Sequence, residues 1–427
     1  MAIRKIFLLF LVCSFIFLCG CWDYKEYEDL ALVSAVGFDT DNAASQVTVT
    51  IQYLVPAGSS NSQTTGGGSK SSTGTIVVKA TGLSIDDAFA KIQQITDKKL
   101  FFGYMQEIVI GDTAAKQITK DIIGYISRTP NIRNSAYIAI APGKAEEILN
   151  TVNPNVTEPL AKNIHDLIDQ SLNSGAAYPV TIQDFWENIA ISGEEPVAPG
   201  ITVENMKDSN NNSSASNTSS GSSSGNSDNS EADPVTLEPK QGYFKIDRIA
   251  AFEGSKLVGG LTGKECTGLG WITNQKYYAY EIVKTSPEPK AMDTLIFRVT
   301  NSNCNIKIQL EANKPVVNIN AYAEADLRKF SNNINVNGLT PQVVSMMEKE
   351  LAENIRIDMD AAISKGQKEL KTDIFQIGFN FSRQYPQLWH GQYEKQWKSI
   401  FPTVKINVYV TAKVIDTGTS AKKFSIS

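Results

Sequence analysis

Histidine and cysteine, the side chains that most often build zinc sites, are scarce in this chain of 427 residues. It contains two histidines, His165 and His390, and five cysteines. The histidines lie far apart in the sequence, and neither belongs to an HExxH motif or to a Cys/His spacing suited to zinc. We therefore predict no metal centre.

Long apolar runs are also scarce. One run extends from Ile6 to Leu18, and no later run is long enough to span a membrane. As a helix this run would measure about 20 Å, against a hydrocarbon core of roughly 30 Å. Arg4 and Lys5 stand before it, which is the charge-then-apolar order of an export signal. We predict that residues 1–20 are a signal peptide and that the body is soluble.

The end of this signal resembles the bacterial lipobox, in the stretch Leu18-Cys19-Gly20-Cys21. A lipobox needs a thiol to receive diacylglycerol, and small residues before it so that a peptidase can reach the bond. We predict cleavage before Cys21 and lipidation of its thiol; an ordinary signal peptide with chance cysteines is the alternative. Two or more acyl chains, at about 0.8 kcal/mol per buried methylene, would hold the protein durably on a membrane.

The excess of basic residues that a nucleic-acid partner requires is missing as well. The formal charge of the chain is −5, and loss of Arg4 and Lys5 with the signal would make it −7. A chain with net negative charge and no basic stripe is a poor ligand for phosphate backbones. We therefore predict no nucleic-acid partner.

Few cysteines are left for the folded body. Cys13 and Cys19 would leave with the signal and Cys21 would take the lipid, so that Cys266 and Cys304 remain. In an oxidising compartment these two could form a disulfide, and two separately buried thiols are the other option. Their state stays open at the level of sequence.

No motif in the sequence supplies a catalytic centre. Gly221 to Gly225 matches GxSxG, but its flanks lack the strand and helix that a nucleophile elbow needs. Gly66 to Lys70 lacks the Walker spacing of a phosphate loop. Adjacent acidic residues on a helix point in different directions, so we expect solvated surface at three such pairs. The pairs are Asp86-Asp87, Glu146-Glu147 and Glu194-Glu195. We predict no enzyme and no cofactor.

The first half of the body alternates between strand and helix patterns. β-Branched runs with period-two alternation predict strands at 30–39, 46–55, 75–80, 106–110 and 136–141. Helices are predicted at 114–127, 145–151, 160–172 and 182–191. A further helix begins after the cap Ser84 and carries Ile85, Ala88, Phe89 and Ile92 on one face. A long loop rich in glycine and serine is predicted at 57–74.

Residues 207–233 are almost entirely Ser, Asn, Gly and Asp. Such a stretch cannot offset its ordering entropy, so we predict a disordered insertion. The stretch could be a linker between domains or an insertion within one, and we favour an insertion in a middle domain because strand character resumes at Gly242-Tyr243-Phe244. A hairpin is then predicted around the turn Glu253-Gly254-Ser255-Lys256.

The C-terminal part reads as strands followed by a long helix. Three antiparallel strands are predicted at 291–300, 304–312 and 315–325, with Asn301-Ser302-Asn303 as one of the turns. The helix begins at Thr340-Pro341, a cap followed by proline at the first helical position, and runs to about Lys371. Its apolar stripe, including the methionines as core fillers, is expected to pack on a sheet. A last strand is predicted at 403–414.

Aromatic residues gather between 375 and 401, and we expect them to pack an irregular segment onto the C-terminal sheet. A partner-binding patch is the alternative. They are Phe375, Phe379, Phe381, Tyr385, Trp389, Tyr393, Trp397 and Phe401.

These elements predict an α+β fold of three mixed α/β domains, with largely antiparallel sheets and a long helix on the C-terminal sheet. The predicted boundaries are 21–148 for the N-terminal domain, 149–275 for the middle domain and 276–427 for the C-terminal domain.

Several stretches resemble the Ger(x)C lipoproteins, the C subunits of spore germinant receptors. The N-terminal ones are Cys21-Trp22-Asp23, Glu28-Asp29-Leu30-Ala31 and Val36-Gly37-Phe38-Asp39. Those further on are Ala250-Ala251-Phe252, Lys256-Leu257-Val258-Gly259, Gly268-Leu269-Gly270-Trp271 and Asp373-Ile374-Phe375-Gln376-Ile377-Gly378, with Pro386, Trp389, Trp397 and Phe401. Each is weak alone, but their joint occurrence along nearly the whole chain is specific.

The resemblance implies a lipid-anchored, non-enzymatic subunit of a nutrient germinant receptor, on the outer face of the spore's inner membrane. It would act with two multi-spanning partners, the A and B subunits, and no catalytic residue carries over. The Ser/Asn insertion departs from the compact family pattern. The alternatives are a substrate-binding lipoprotein of a transporter, with two lobes around a cleft, and a hydrolase with two carboxylates about 5–10 Å apart.

Overall fold

A computed structural model describes residues 29–54, 75–156, 159–205, 235–237, 240–275, 280–284, 294–312, 314–329 and 340–416. The predicted signal peptide, Cys21, the 57–74 loop and the 207–233 insertion lie outside these residues, and so do the two glycine-rich motifs at 66–70 and 221–225.

The described residues of the first part form eleven strands, seven α-helices and one 3-10 turn, Phe102–Tyr104. The strands are β1 (Leu30–Thr40), β2 (Val47–Leu54), β3 (Thr75–Gly82), β4 (Lys99–Phe101), β5 (Glu107–Gly111), β6 (Tyr137–Ala141), β7 (Thr151–Val152), β8 (Val197–Asn205), β9 (Val235–Thr236), β10 (Lys240–Glu253) and β11 (Lys256–Thr262). The helices are α1 (Ile85–Ile95), α2 (Asp112–Gln117), α3 (Thr119–Arg128), α4 (Ala145–Leu149), α5 (Leu160–Ser174), α6 (Ile182–Ala190) and α7 (Lys264–Ile272).

The described residues of the second part form four strands and two longer helices. They are β12 (Tyr280–Lys284), β13 (Thr294–Glu311), β14 (Lys314–Lys329), α8 (Pro341–Ser364), α9 (Ile377–Gln384) and β15 (Lys405–Asp416). A π-helical turn, Lys365–Leu370, prolongs α8, and a run of short helical turns over 386–403 joins α9 to β15.

All eleven strands of the first part join one sheet. Its order is β11-β10-β8-β6-β5-β1-β2-β3-β9, with β4 beside β1 and β7 beside β10. The pairs β1–β5, β5–β6 and β6–β8 are parallel, whereas β1–β2–β3 and β8–β10–β11 are antiparallel. Helices cross over between the parallel strands at the centre, whereas the antiparallel pairs β1–β2 and β10–β11 are joined by short connections. The sheet takes strands from both sides of residue 148, and the three-domain division stays a prediction.

Helices cover both faces of this sheet. Side chains alternate along a central strand, so that Ile108 and Ile110 face one core and Val109 faces another. The larger core lies under α1, α2, α3 and α6 and continues into the second part of the chain. The smaller core lies under α4 and α5. The centre is thus buried on both sides, which explains its nearly continuous apolar strands.

Local signals in the first part were largely sufficient to place its elements. Ser84 caps α1 by accepting from the Asp87 N–H, and the predicted face of that helix is buried. The predicted hairpin pairs Glu253 with Lys256. The single helix predicted at 114–127 is wrong, because the chain breaks at Ile118 (φ −123°, ψ 12°) into α2 and α3. There the Thr119 hydroxyl donates to the Ala115 carbonyl at 3.0 Å and competes with the helical backbone.

The second sheet has the order β12-β13-β14-β15, with β15 parallel to β14. The predicted turn at Asn301-Ser302-Asn303 is wrong, since this triplet lies inside the continuous strand β13. A register shift between Val299 and Asn301 keeps it in the ladder with β14. Ser302 is buried and its two neighbours are exposed, so the triplet continues the strand's alternation. The mixed α/β fold class is confirmed.

Side-chain amides close the β13 edge where β12 ends. The Asn274 amide donates to the Cys304 carbonyl at 2.9 Å. The Gln384 amide donates to the Ile306 carbonyl at 3.1 Å and accepts from the Ile308 N–H at 3.0 Å. These bonds replace those of a neighbouring strand and tie α9 to the sheet.

Helix α8 begins as predicted, with Thr340 accepting from the Val343 N–H and Pro341 at the first helical position. Its buried stripe includes Met347 and Met359, which confirms the methionines as core fillers. The second sheet covers one side of the helix, and α7 crosses it at Gly268. A Cβ on that glycine would lie 1.9 Å from the Asp358 carbonyl oxygen.

Cys266 and Cys304 are buried, and no disulfide joins them. Of the two options for this pair, the structure has two separately buried thiols.

We expect Gly268→Ala to lower the free energy of unfolding by about 3 kcal/mol, because α7 and α8 must separate to admit the methyl group. Gly391→Ala is the matched control, since a Cβ there meets no atom within 4 Å. Urea unfolding measures both. Equal midpoints for the two variants would show that the α7–α8 contact is not tight.

Candidate functional site

A buried carboxylate, Asp373, organises the segment that follows α8. Its Oδ1 accepts from the N–H groups of Phe375 and Ile377, each at 3.2 Å. Its Oδ2 accepts from the Gly378 N–H at 2.7 Å and from the Trp397 Nε1–H at 2.8 Å. Burial raises the pKa of Asp373 to about 6, although the four donors lower it. Both oxygens are therefore fully engaged.

These bonds explain the spacing of the 373–378 stretch. They satisfy the N–H groups at the start of α9. The side chain of the adjacent cap residue, Gln376, accepts no capping hydrogen bond there. Position 378 must be small, because a Cβ there would lie 2.7 Å from the Trp397 Nε1. The stretch 373–378 thus starts helix α9 and fixes the indole ring of Trp397.

The aromatic residues between 375 and 401 form a cluster around the Trp397 ring that Asp373 holds. The Phe381 ring lies 4.8 Å from that of Tyr393 and 5.8 Å from those of Trp389 and Trp397. The four side chains are between 0% and 6% exposed. The expectation that the aromatic residues pack this segment is therefore confirmed, and these four are too buried to form a partner-binding patch.

The segment after α6 is fastened to this cluster at Gly193. Its carbonyl accepts from the Phe379 N–H at 3.0 Å, and its φ of +87° suits glycine. A Cβ on Gly193 would lie 2.6 Å from the Gly378 carbonyl carbon and 2.9 Å from Cζ2 of Trp389. Nearby, the Thr372 hydroxyl donates to the Phe252 carbonyl of β10 at 3.2 Å. The two parts of the chain thus meet backbone to backbone.

A cavity of about 130 Å³ opens beside this junction. Glu195 is half-buried in its wall and accepts from the Gly254 N–H. Burial raises the pKa of Glu195 to about 7. Its neighbour Glu194 is 8% exposed, so the prediction of solvated surface is wrong for this acidic pair. A second cavity, of about 360 Å³, adjoins Glu195 on the side of α6.

The hydrogen bonds of Asp373 make it a poor general acid or base of the glycosidase type. Asp373 and Glu195 line the same cavity, but all oxygens of Asp373 accept from fixed donors. A general acid or base needs an oxygen that can reach the substrate. Across the described ranges, no group of three or more His, Cys, Asp or Glu side chains is placed to hold a metal ion.

A second titratable cluster lies where α5 packs on the first sheet. Glu107 is fully buried, and its Oε1 lies 3.1 Å from His165 Nδ1. The His165 ring stacks on Tyr137 at 4.4 Å, and the Tyr137 hydroxyl donates to Asp169 at 2.7 Å. Burial raises the pKa of Glu107 to about 8, and the hydrogen bond to Glu107 raises that of His165. The other histidine, His390, is exposed and contacts Glu394.

The remaining family-like stretches also position elements of the fold. Asp39 accepts from the Ala145 and Glu146 N–H groups at 2.8 and 2.9 Å, at the start of α4. The Trp271 Nε1–H donates to Glu281 of β12 at 3.0 Å. These roles are structural, and none of them touches the cavity.

No sequence motif marks Gly193 or Glu107 as part of a site, and Glu195 is noticed only as one half of an acidic pair expected on the surface. A glycine shortly after a predicted helix end is a common signal for a turn, and Gly193 carries that signal. A glutamate followed by isoleucine and valine at the start of a strand gives no sign that its side chain is buried.

Two family models match the chain. The spore germination protein N-terminal domain covers residues 23–203, and the spore germination B3/GerAC-like C-terminal domain covers residues 247–418. The interval between them contains the 207–233 insertion. The close contacts of Gly193 with Gly378 and Phe379 therefore join the two matched domains.

Whole-length relatives agree with these matches. The chain is 24% identical to spore germination protein KC of Bacillus subtilis (strain 168), over 97% of each chain. It is 24% identical to spore germination protein B3 of the same organism, over 95% of this chain and 96% of that one. The fold is similar to the crystal structure of the GerBC protein, with a TM-score of 0.53 and 17% identity over 92% of this chain and 100% of that chain.

We expect Asp373→Ala to lower the free energy of unfolding by at least about 3 kcal/mol, because four buried donors lose their acceptor. Asp373→Asn keeps one acceptor oxygen and should lose less. The exposed Glu311→Ala is the control, and urea unfolding followed by tryptophan fluorescence is the measurement. The role given to Asp373 would be refuted by an Asp373→Ala midpoint equal to that of the control.

Glu107 and His165 should make the folded state less stable as the pH rises. Both pKa values are raised on folding, so the native protein binds more protons than the unfolded chain between about pH 4.5 and 8. The free energy of unfolding then falls with pH, by up to about 1.4 kcal/mol per pH unit for each extra proton. Glu107→Gln should flatten this slope.

Urea unfolding at pH 5.5 and pH 8 measures the difference. The exposed Ser127→Ala, which changes no titratable group, should keep the slope of the original protein. If the free energy of unfolding of Glu107→Gln fell with pH as steeply as that of the original protein, the role given to Glu107 would be contradicted.

Proposed function

The chain belongs to the Ger(x)C family of spore germination proteins, and on this basis we propose that it is the lipid-anchored C subunit of a nutrient germinant receptor. The observation that carries the proposal is the match of both family domains, together with relatives covered over nearly their whole length. Those relatives carry germination names, which favours the receptor over the transporter lipoprotein.

We infer that Cys21 carries the lipid and that residues 1–20 are removed. The lipobox-like stretch supports this, and so does the position of β1, which starts nine residues after Cys21. In the described part of the chain, no helix combines the length and the apolar character needed to cross a membrane. An N-terminal lipid would then hold the two sheets beside the bilayer.

We propose that the subunit has no enzymatic activity of its own. The engaged oxygens of Asp373 and the structural roles of the other family-like residues support this. Its work would then be binding, carried out with two multi-spanning membrane subunits on the outer face of the spore's inner membrane. The family resemblance is the support for these partners and for this location.

Gene deletion with complementation tests the proposal. Deletion should abolish germination by a particular nutrient and leave sporulation intact, and the original gene should restore the response. Cys21→Ala should accumulate unprocessed precursor without lipid label and should restore germination poorly. Cys19→Ala, which keeps a small residue before the processing site, is the matched control and should be labelled and active.

Two results would count against the proposal. Normal germination of the deletion strain with every nutrient would remove the receptor role. Lipid label retained in Cys21→Ala would remove the anchor assignment and leave the receptor role open to the first test.

A further inference from the structure

Strand β15 is an edge of the second sheet, and in the described part of the chain no strand lies beyond it. On this open side, the Glu348 carboxylate of α8 accepts from the Val414 N–H at 3.2 Å. Backbone groups of alternate residues in a strand point the same way, so those of Val408, Val410 and Ala412 also face the open side. The β13 edge, by contrast, is closed by side-chain amides.

The usual protections of an edge strand are weak here. Natural edge strands are short, or carry proline, a bulge or an inward-pointing charge. Strand β15 has 12 residues without proline or glycine, and its lysines, Lys405 and Lys413, are exposed. Its pairing with β14 is regular up to Val414, and the register shifts only beyond that residue. The open side can therefore accept another strand over most of its length.

The apolar side chains of β15 are incompletely covered. Val317 and Ile319 of β14 are 0% exposed, in the core that the second sheet shares with α8. Their neighbours in β15, Ile406 and Val408, pack on the same core but are only half-buried. A further strand with apolar side chains on this face would bury them and stabilise the assembly.

The sequence of β15 complements itself when two copies run antiparallel about a two-fold axis at Thr411. Val410 then lies opposite Ala412, and Val408 lies opposite Val414, with all of these side chains on the face that packs on α8. The outward backbone groups of Val410 and Ala412 meet in hydrogen-bonded pairs. The apolar row of each copy is thus covered by the same row of the other.

The solvent-facing side chains fit the same register. Thr411 lies opposite Thr411 of the second copy, and paired threonines stabilise adjacent strands. Tyr409, which is 56% exposed, lies opposite Lys413, so that an ammonium group meets an aromatic ring at two equivalent places. Within β15, no two charges of the same sign lie opposite each other in this register.

We propose that β15 is the interface between two copies of this chain, which pair antiparallel through this strand in the register centred on Thr411. The two four-stranded sheets then form one continuous sheet. Because Glu348 already bonds the Val414 N–H, it ends the shared ladder at that residue. The pairing uses neither the lipid nor the membrane subunits, so it is tested apart from the receptor role.

Cysteine cross-linking on the purified full chain in detergent tests the register. The backbone groups of Thr411 point away from the second copy, and the Cα atoms of such opposite residues are about 4.5 Å apart, which suits a disulfide. After mild oxidation, Thr411→Cys should form at least tenfold more covalent dimer than Asn407→Cys. The Asn407 positions lie on the same face, but they would be roughly 26 Å apart. Cys266 and Cys304 are buried, and the original protein gives the background.

Two further variants test the backbone pairing. Proline at position 410 removes an N–H that faces the open side, where edge strands tolerate proline. Val410→Pro should therefore abolish the cross-link of Thr411→Cys, whereas Val410→Ala, which keeps the N–H, should retain it. Melting temperatures show whether both variants fold, and the comparison of Thr411→Cys with Asn407→Cys stands without them.

Equal cross-linking of Thr411→Cys and Asn407→Cys, or none in either, would overturn the proposal. So would a cross-link in intact spores that joins Thr411→Cys to a different protein and not to a second copy, since the edge would then bind a strand of another chain. Germination does not enter these measurements. A monomeric protein therefore leaves the receptor role intact, and failure of the receptor role leaves the dimer unaffected.

Discussion

The rest of the structure depends on one buried carboxylate and the four donors it satisfies. Asp373 starts α9, fixes the Trp397 ring and forces position 378 to be glycine. Burying a charge is unfavourable unless it is well hydrogen-bonded, so this turn has one arrangement in which all partners are present. The aromatic cluster and the contact with Gly193 are built on that arrangement.

The same constraint shapes the junction between the two matched domains. Backbone contact at Gly193 and Gly378 leaves no room for side chains there, and the cavity with Glu195 lies directly beside it. The family-like residues at this junction thus hold the two matched domains together.

Local chemistry made much of the fold predictable from the sequence. Ser84 and Thr340 marked helix starts correctly because a cap acts on its own helix. The turn predicted at Asn301-Ser302-Asn303 is wrong because polar residues also occur in a strand that has one solvent-exposed face. Glu107 and Glu195 were missed as buried groups because their burial depends on α5 and on the β10–β11 turn, which are distant in sequence. The site could not be predicted for the same reason.

We propose that this chain is the peripheral subunit of a membrane receptor. The most direct measurement is a pull-down of the lipidated protein from spore membranes, with identification of the proteins that accompany it. Two multi-spanning subunits of one germinant receptor should co-purify with it. Recovery without any membrane subunit, or with the permease of a transporter, would contradict the claim.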